Sequence, residues 1–329
     1  MKVAVFGASV SAQTVRHGTD EITGYCEVLR RRWLKAIGAT SLTQICYPGS
    51  RLSDGGLYRV GDLIEHAPDL CLFEPLIEDG SRGRTVTPGE AEFVYRSMLR
   101  NRILPVALFL PDPAMRTPRK WGTYPLHKRI CNAIGLPCIE VDLANSGDIT
   151  GRFNGVHTHL SGAELYADEI VRGLQAIGDD RSLAERAFAA SAKLQANLYE
   201  TLVETPVRKT VSTMMLRLHP RTAGTFSYRA VQPHQIGPFS PVVAVQANGA
   251  STQGDLLRSV WDPYCSYERR TYLVLDDRSV TESGTACTVT ISISSADPDY
   301  AKVRKPVERW PMAHERSLRP VGPIKVFST

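Results

Sequence analysis

The feature that most constrains this chain is the alternation, over its first ~180 residues, of short apolar runs with helical patterns. The runs KVAVFG, LTQICYP, DLCLFEPLI, ILPVALFLP and PCIEVD are bounded by turn residues and read as buried strands. Between them, Tyr25, Val28, Leu29, Trp33 and Ile37 fall mostly at i, i+3/i+4 spacing, and Gly38 follows as a C-cap. TPGEAEFVYRSMLRNR opens with Thr87, Pro88 and acidic residues, a helix-start signature. SGAELYADEIVRGLQAIG begins at Ser161, carries Glu164 three residues on and ends at Gly178, which predicts a capping box and a glycine stop. Strands alternating with helices predict an α/β fold: a three-layer α/β/α, doubly wound parallel sheet of about five strands. In such sheets sites form at the carboxyl ends of the strands, where Gly7-Ala8-Ser9, YPGS and PLIEDG fall.

From about residue 180 the pattern changes. Ser182 to Glu204 reads as one long amphipathic helix. After it come strand-like pieces separated by turns: KTVSTMMLRL, GTFSYRAV, SPVVAVQANG, LLRSVW, RRTYLVLDD and ACTVTISISS. They predict a β-sandwich or jelly-roll-like domain. Lys302 to Thr329, rich in Pro and Arg, reads as an extended tail. The expected organisation is an α/β/α domain over 1–180, a linking helix over 181–205 and a β-sandwich-like domain over 206–329. That last domain is a candidate for homo-oligomerisation or for docking a partner.

Composition excludes several classes. The 329 residues are 43% hydrophobic and 22% charged, enough for a core in two domains. No apolar run approaches the ~18 residues of a membrane span. The seven cysteines are scattered and form no CxxC, so reduced core thiols are expected rather than a disulfide framework or a metal site. With no secretory pattern after Met1, a cytoplasmic location is expected. The net charge of +5 is mild, and LRRRWLK reads as the solvated face of a helix, so no nucleic-acid partner is expected. GASVSAQ lacks the GxGxxG glycines, and no Walker A motif occurs, so no cofactor is indicated.

Chemistry enters at Ser9. A serine hydroxyl needs a base within hydrogen-bond reach and donors for the oxyanion it creates. Taken alone, Ser9 reads as a helix cap. Three later stretches alter that reading: Gly49 after the second strand, Glu78-Asp79-Gly80 after the third, and His157 after the fifth, just before a helix.

In that order and spacing the sequence resembles the SGNH (GDSL-like) hydrolase superfamily. Its Gly-Asp-Ser block looks like Gly7-Ala8-Ser9, and its second-block glycine looks like Gly49. Its Gly-x-Asn-Asp block is similar to Leu76-Ile77-Glu78-Asp79. Its Asp-x-x-His block, with a glycine five residues on, looks like Asn154-Gly155-Val156-His157 and Gly162. The resemblance implies a serine esterase or acyltransferase, often acting on acylated carbohydrates or lipids. It implies Ser9 as nucleophile, His157 as base with Asn154 behind it, and Gly49, Glu78 and Asp79 on the oxyanion and substrate side. Glu78 stands where the family has an oxyanion-donating asparagine, and a carboxylate there repels developing charge unless it is protonated. Asn154 stands where the family has a carboxylate, and an amide stabilises imidazolium less. These two departures favour a rival reading, a non-catalytic glycan-binding protein on a degenerate hydrolase fold.

Other residues receive plainer readings. Ser11 is a second candidate nucleophile, but the Gly-x-Ser register selects Ser9 and leaves Ser11 in the helix's first turn. His157 and His159 lack further ligands nearby, so metal is not expected. His17, His66 and His127 read as surface residues in polar or loop-like surroundings. Trp261 to Tyr272 reads as a strand with half-buried aromatics or as a sugar-stacking platform.

Overall fold

A computed structural model describes residues 1–16, 18–78, 86–178 and 181–194, and in the C-terminal part the strands named below with residues 323 and 324. The chain divides into two compact units, Met1–Asn197 and Leu198–Thr329.

The first unit is built on five parallel strands: β1 (Lys2–Gly7), β2 (Ser41–Gln44), β3 (Leu70–Glu74), β4 (Leu104–Phe109) and β5 (Cys138–Glu140). Their spatial order is β2-β1-β3-β4-β5. This is the expected doubly wound α/β sheet, and its strand order reverses between β1 and β3. Val3–Phe6, Cys71–Phe73 and Val106–Phe109 have no exposed surface. Covered on both faces, they need continuous apolar runs rather than alternation. The rings of Phe6, Tyr47, Phe73 and Tyr95 continue this core, with Phe73 and Tyr95 edge to face at 5.0 Å.

The helices of this unit are α1 (Ser9–Ala12), α2 (Tyr25–Val28, running into a π-turn at Leu29–Trp33), α3 (Leu57–His66), α4 (Pro88–Arg100), α5 (Tyr124–Ile134), α6 (Leu160–Ile177) and α7 (Arg181–Ala190). The start of α4 follows its sequence signature. Thr87 Oγ1 accepts from Glu90 N–H at 3.3 Å, Glu90 accepts in return from Thr87 N–H at 2.8 Å, and Pro88 fills the position that needs no donor. The start of α6 does not follow the expectation. It begins at Leu160 with His159 as N-cap and no side-chain cap, and Glu164 instead holds Arg32 at 2.5 Å. In the basic run Arg31 also pairs with Glu27, at 2.6 Å, and both arginine side chains stay about half exposed.

The single helix expected over Ser182–Glu204 is not formed. Helix α7 ends at Ala190, a 3-10 turn covers Ser191–Lys193, and Tyr199–Lys209 is a strand. That strand, β8, opens the second unit. With β9 (Thr213–His219), β10 (Tyr228–Ile236), β11 (Val242–Ala247), β12 (Leu256–Ser259), β13 (Arg269–Asp277), β14 (Cys287–Ile293) and β15 (Lys325–Ser328) it forms an antiparallel ladder ordered β12-β11-β14-β9-β8-β15-β10-β13. β8 serves both halves of the ladder. Its first residues, Tyr199–Thr201, pair with β15, its later ones pair with β9, and the register shifts between Glu204 and Arg208. A register shift in a strand shared in this way bends the ladder locally. Pro233 fits the same logic. β15 pairs with β10 only from Tyr228 to Val231, so Pro233 lacks a β15 partner that would need its missing N–H.

Candidate active site

Four segments meet at the carboxyl end of the parallel sheet, where β1 and β3 lie side by side across the reversal of strand order. At the end of β1, Gly7 pairs in register with Glu74 of β3. Gly7 has no room for a side chain: a Cβ there would lie 2.6 Å from Ser11 Oγ and 2.9 Å from Glu74 Cβ. The chain then turns into α1, whose first residue is Ser9. Ser9 Oγ is buried and has no hydrogen-bond partner among the described residues. Ser11, two residues on, has no exposed surface and its hydroxyl bonds the Tyr25 hydroxyl at 2.7 Å, so it is committed to the core.

The loop after β2 approaches from one side. Tyr47 N–H donates to Gly7 C=O at 3.0 Å, and Gly49 follows in a turn at φ +69°, a conformation that favours glycine. Gln44, at the end of β2, donates its amide to the carbonyls of Ser11 at 2.7 Å and Gln13 at 3.2 Å, fixing the exit of α1. The loop after β3 approaches from the other side and carries Leu76, Ile77 and the half-buried Glu78. Asp79 and His17 lie outside the described residues.

The fourth segment is a small hairpin, β6 (Phe153–Asn154) with β7 (His157–Thr158), in which Asn154 and His157 face each other in register. Gly155, at φ +60°, makes the tight turn between them. Helix α1 lies against β7. The joint is the Gln13 carboxamide, which donates to Thr158 C=O at 3.2 Å and accepts from Thr158 N–H at 3.0 Å. Thr158 Oγ1 also donates to Thr23 C=O. Gly162 seats the hairpin on α6, since a Cβ there would lie 2.4 Å from Arg152 O. The motif glycine five residues beyond His157 thus has a packing reason.

The structure brings Ser9, Gly49 and Glu78 to one rim, with the His157 hairpin against α1. It does not join Ser9 to His157: the Ser9 hydroxyl has no partner among the described residues, and His157 and Asn154 are exposed. Between the loop after α1 and the start of α6 is an open cleft of about 440 Å³, lined by Arg16, Glu21, His159, Ser161 and Glu164 among others.

Four residues differ from the sequence reading or lie outside it. Gln13 carries no sequence signal for its role as the joint. Glu74 was read only as part of a strand, yet it is fully buried, and burial pushes its carboxyl up from 4.5 to about 7. His127, expected at the surface, has no exposed surface on α5. It packs on Phe73 and Tyr95, its Nδ1 is 3.4 Å from the Tyr95 hydroxyl, and burial lowers its pKa from 6.5 to about 3. His66, also read as a surface residue, is half-buried at the end of α3. Among the described residues no cluster of His, Cys, Asp and Glu could hold a metal ion, and no helix is long and apolar enough to cross a membrane.

No family model matches the chain, and no curated protein matches it. Solved structures do. The chain is similar over 99% of its length to a two-domain esterase (CEX) active on acetylated mannans, at 12% identity and a TM-score of 0.64, covering 90% of that chain. The chain shares the fold of that two-domain esterase, an α/β unit with an added β domain. The same relation holds to that two-domain esterase co-crystallised with mannopentaose, with a TM-score of 0.60 at 12% identity, 99% of this chain and 90% of the other. A lipase/acylhydrolase from Enterococcus faecalis matches 54% of this chain and 97% of its own at 19% identity, with a TM-score of 0.41.

Proposed function

We propose that this chain is a serine-dependent ester hydrolase or acyltransferase acting on acylated carbohydrates. The observation that carries the reading is the buried, unpartnered Ser9 hydroxyl at the switch point of the sheet, beside a hairpin bearing His157. A core hydroxyl without a partner is costly, and sites of reaction are where such costs persist. In the proposed reaction His157 takes the proton from Ser9 Oγ, and the oxygen attacks the ester carbonyl carbon. The backbone N–H groups of Ser9 and Gly49 hold the oxyanion, each such donor typically lowering the barrier by about 3 kcal/mol. The alcohol leaves with the proton from His157, and water or an acceptor hydroxyl then releases the acyl group. Asn154, paired with His157 across the hairpin, fixes the imidazole tautomer by accepting its second N–H. Glu78 borders the substrate. His157 must turn inward from its exposed position to reach Ser9, and catalytic bonds of this kind often tighten only when substrate is bound.

The carbohydrate part of the reading is supported by the polar cleft beside the hairpin, whose carboxylates, guanidinium, imidazole and hydroxyl suit a polyol. It is also supported by the fold shared with an esterase active on acetylated mannans. The test is labelling by a fluorophosphonate probe, together with acetate release from acetylated mannan, for the wild type, Ser9→Ala and His157→Ala. The expected result is labelling and release by the wild type and neither by the variants. Equal behaviour of all three proteins would refute the serine mechanism.

A second reading is favoured by one specific observation, the exposed His157, whose ring has no partner among the described residues and has an amide rather than a carboxylate opposite it. It makes the protein a glycan binder on a hydrolase fold. Mannan binding without labelling or acetate release would establish it.

A further inference from the structure

Beneath the Ser9 turn lies a carboxyl group with no role in the reaction above. Glu74, the last residue of β3, has no exposed surface. Its Oε1 accepts from the backbone N–H groups of Leu76 and Ile77, both at 2.9 Å. Its Oε2 accepts from Ala8 N–H at 3.2 Å and lies 3.5 Å from Ser11 Oγ. One carboxyl thus bridges the turn that carries Ser9 and the loop that leads to Glu78. The titratable groups that face it are Tyr25 from α2, Cys46 from the loop after β2, Tyr166 from α6 and Glu78 from its own loop. None of these is a cation, so three backbone donors take the place of a counter-ion.

We infer that Glu74 is a positioning residue for Ser9: its ionised carboxylate ties Ala8 to Leu76 and Ile77 and so fixes the nucleophile against the rim, and protonation loosens that tie. This inference rests on the serine reading above. The chemistry follows from the donor count. A carboxylate has lone pairs for all three N–H groups, whereas a protonated Oε2 is a poorer acceptor for the Ala8 N–H and must itself donate. Ser11 Oγ can accept that proton, so the neutral form keeps its Leu76 and Ile77 bonds at Oε1 and weakens the one from Ala8 at Oε2. Burial opposes the three donors and brings the ionisation of Glu74 to about 7, so the tie tightens and loosens near neutral pH.

The experiment measures fluorophosphonate labelling rates of the full chain against pH for the wild type and Glu74→Gln, with amide exchange followed in both. Glutamine keeps the shape but presents a donor amide to Ala8. At high pH its labelling should fall by about 100-fold, the scale of a misplaced reacting group. The acid limb of its rate profile should lose one protonation, dropping from two protons to one, which a purely structural change would not produce. In the wild type, exchange protection at Ala8 should fall as the pH drops through the ionisation of Glu74 while that of Phe109 holds. This measurement decides the matter if the glutamine variant fails to fold. Wild-type labelling matched in rate and acid limb by Glu74→Gln, or an Ala8 amide whose protection ignores pH, would overturn the role of Glu74 alone. Absence of wild-type labelling would overturn the serine reading, and this role with it.

Discussion

Replacing Glu74 by glutamine should tilt the pH dependence of folding stability, and the tilt is set by His127. Burial raises Glu74 from 4.5 to about 7, so between those values the folded protein holds a proton that the unfolded chain has released. Its contribution is fully present below pH 4.5 and is lost as the pH rises through 7. The span of about 2.5 units corresponds to about 3 kcal/mol, at up to about 1.4 kcal/mol per pH unit. His127 runs the other way. Burial lowers it from 6.5 to about 3, so its contribution is present above 6.5 and is lost as the pH falls toward 3. Between 4.5 and 6.5 the two slopes are equal and opposite, and the wild type should be nearly flat as far as these groups act. Glu74→Gln removes the falling slope, so that variant should gain about 1.4 kcal/mol per pH unit over that window. His127→Phe, whose ring meets Phe73 and Tyr95, removes the rising slope and should lose the same amount. Urea denaturation at pH 4.5, about 5.5 and 6.5 reads the slopes directly. Slopes are the right measure because each variant also carries a pH-independent cost, an amide donor facing Ala8 in one and a larger ring in the other. Parallel profiles for the wild type and both variants would refute the assignment of these two buried groups.

Two further substitutions test the rim. Gly162→Ala places a Cβ 2.4 Å from Arg152 O and must push the hairpin off α6, so fluorophosphonate labelling should fall at least about tenfold while the circular dichroism of the sheet and helices persists. Ser11→Ala loses the bond to Tyr25, worth about 1 kcal/mol, yet should still label, because the Ser11 hydroxyl is sealed in the core. Labelling that survives in Ser9→Ala and vanishes in Ser11→Ala would exchange their assignments.

The α/β half of the fold was legible because a strand covered on both faces must be apolar throughout. Val3–Phe6, Cys71–Phe73 and Val106–Phe109 announce themselves as runs, and the helix signals between them fix the connectivity. The errors lie where pairing is supplied from far along the chain. Tyr199–Lys209 comes soon after a true helix, and no glycine lies between them in the sequence, so the amphipathic pattern runs on to Glu204. Its β-branched residues and Pro206 were the signal that helix had ended. β15 is four residues in a tail rich in Pro and Arg, and it is a strand because β8 and β10 flank it, not because of its own pattern. The strands in between, such as Arg269–Asp277, coincide with runs visible in the sequence.

The site was legible as an order of motifs and illegible as a set of joints. Sequence gives Gly-x-Ser, Gly49, Glu78 and His157 in succession, but not that a glutamine side chain binds the hairpin backbone, nor that a carboxyl lies under the nucleophile turn. Charged and polar letters read as surface by default, since their burial is decided by what packs over them. Glu74 did carry a local signal. It ends the apolar run DLCLFE on a central strand and is followed by Pro75, so a carboxylate was bound to sit at the buried carboxyl edge of the sheet. A charge there needs donors, and with no cation among the groups that face it the donors are backbone N–H groups of the loops above it. Those loops are the ones that hold Ser9 and Glu78, so the group that answers the desolvation problem is also the group that sets the geometry of the rim.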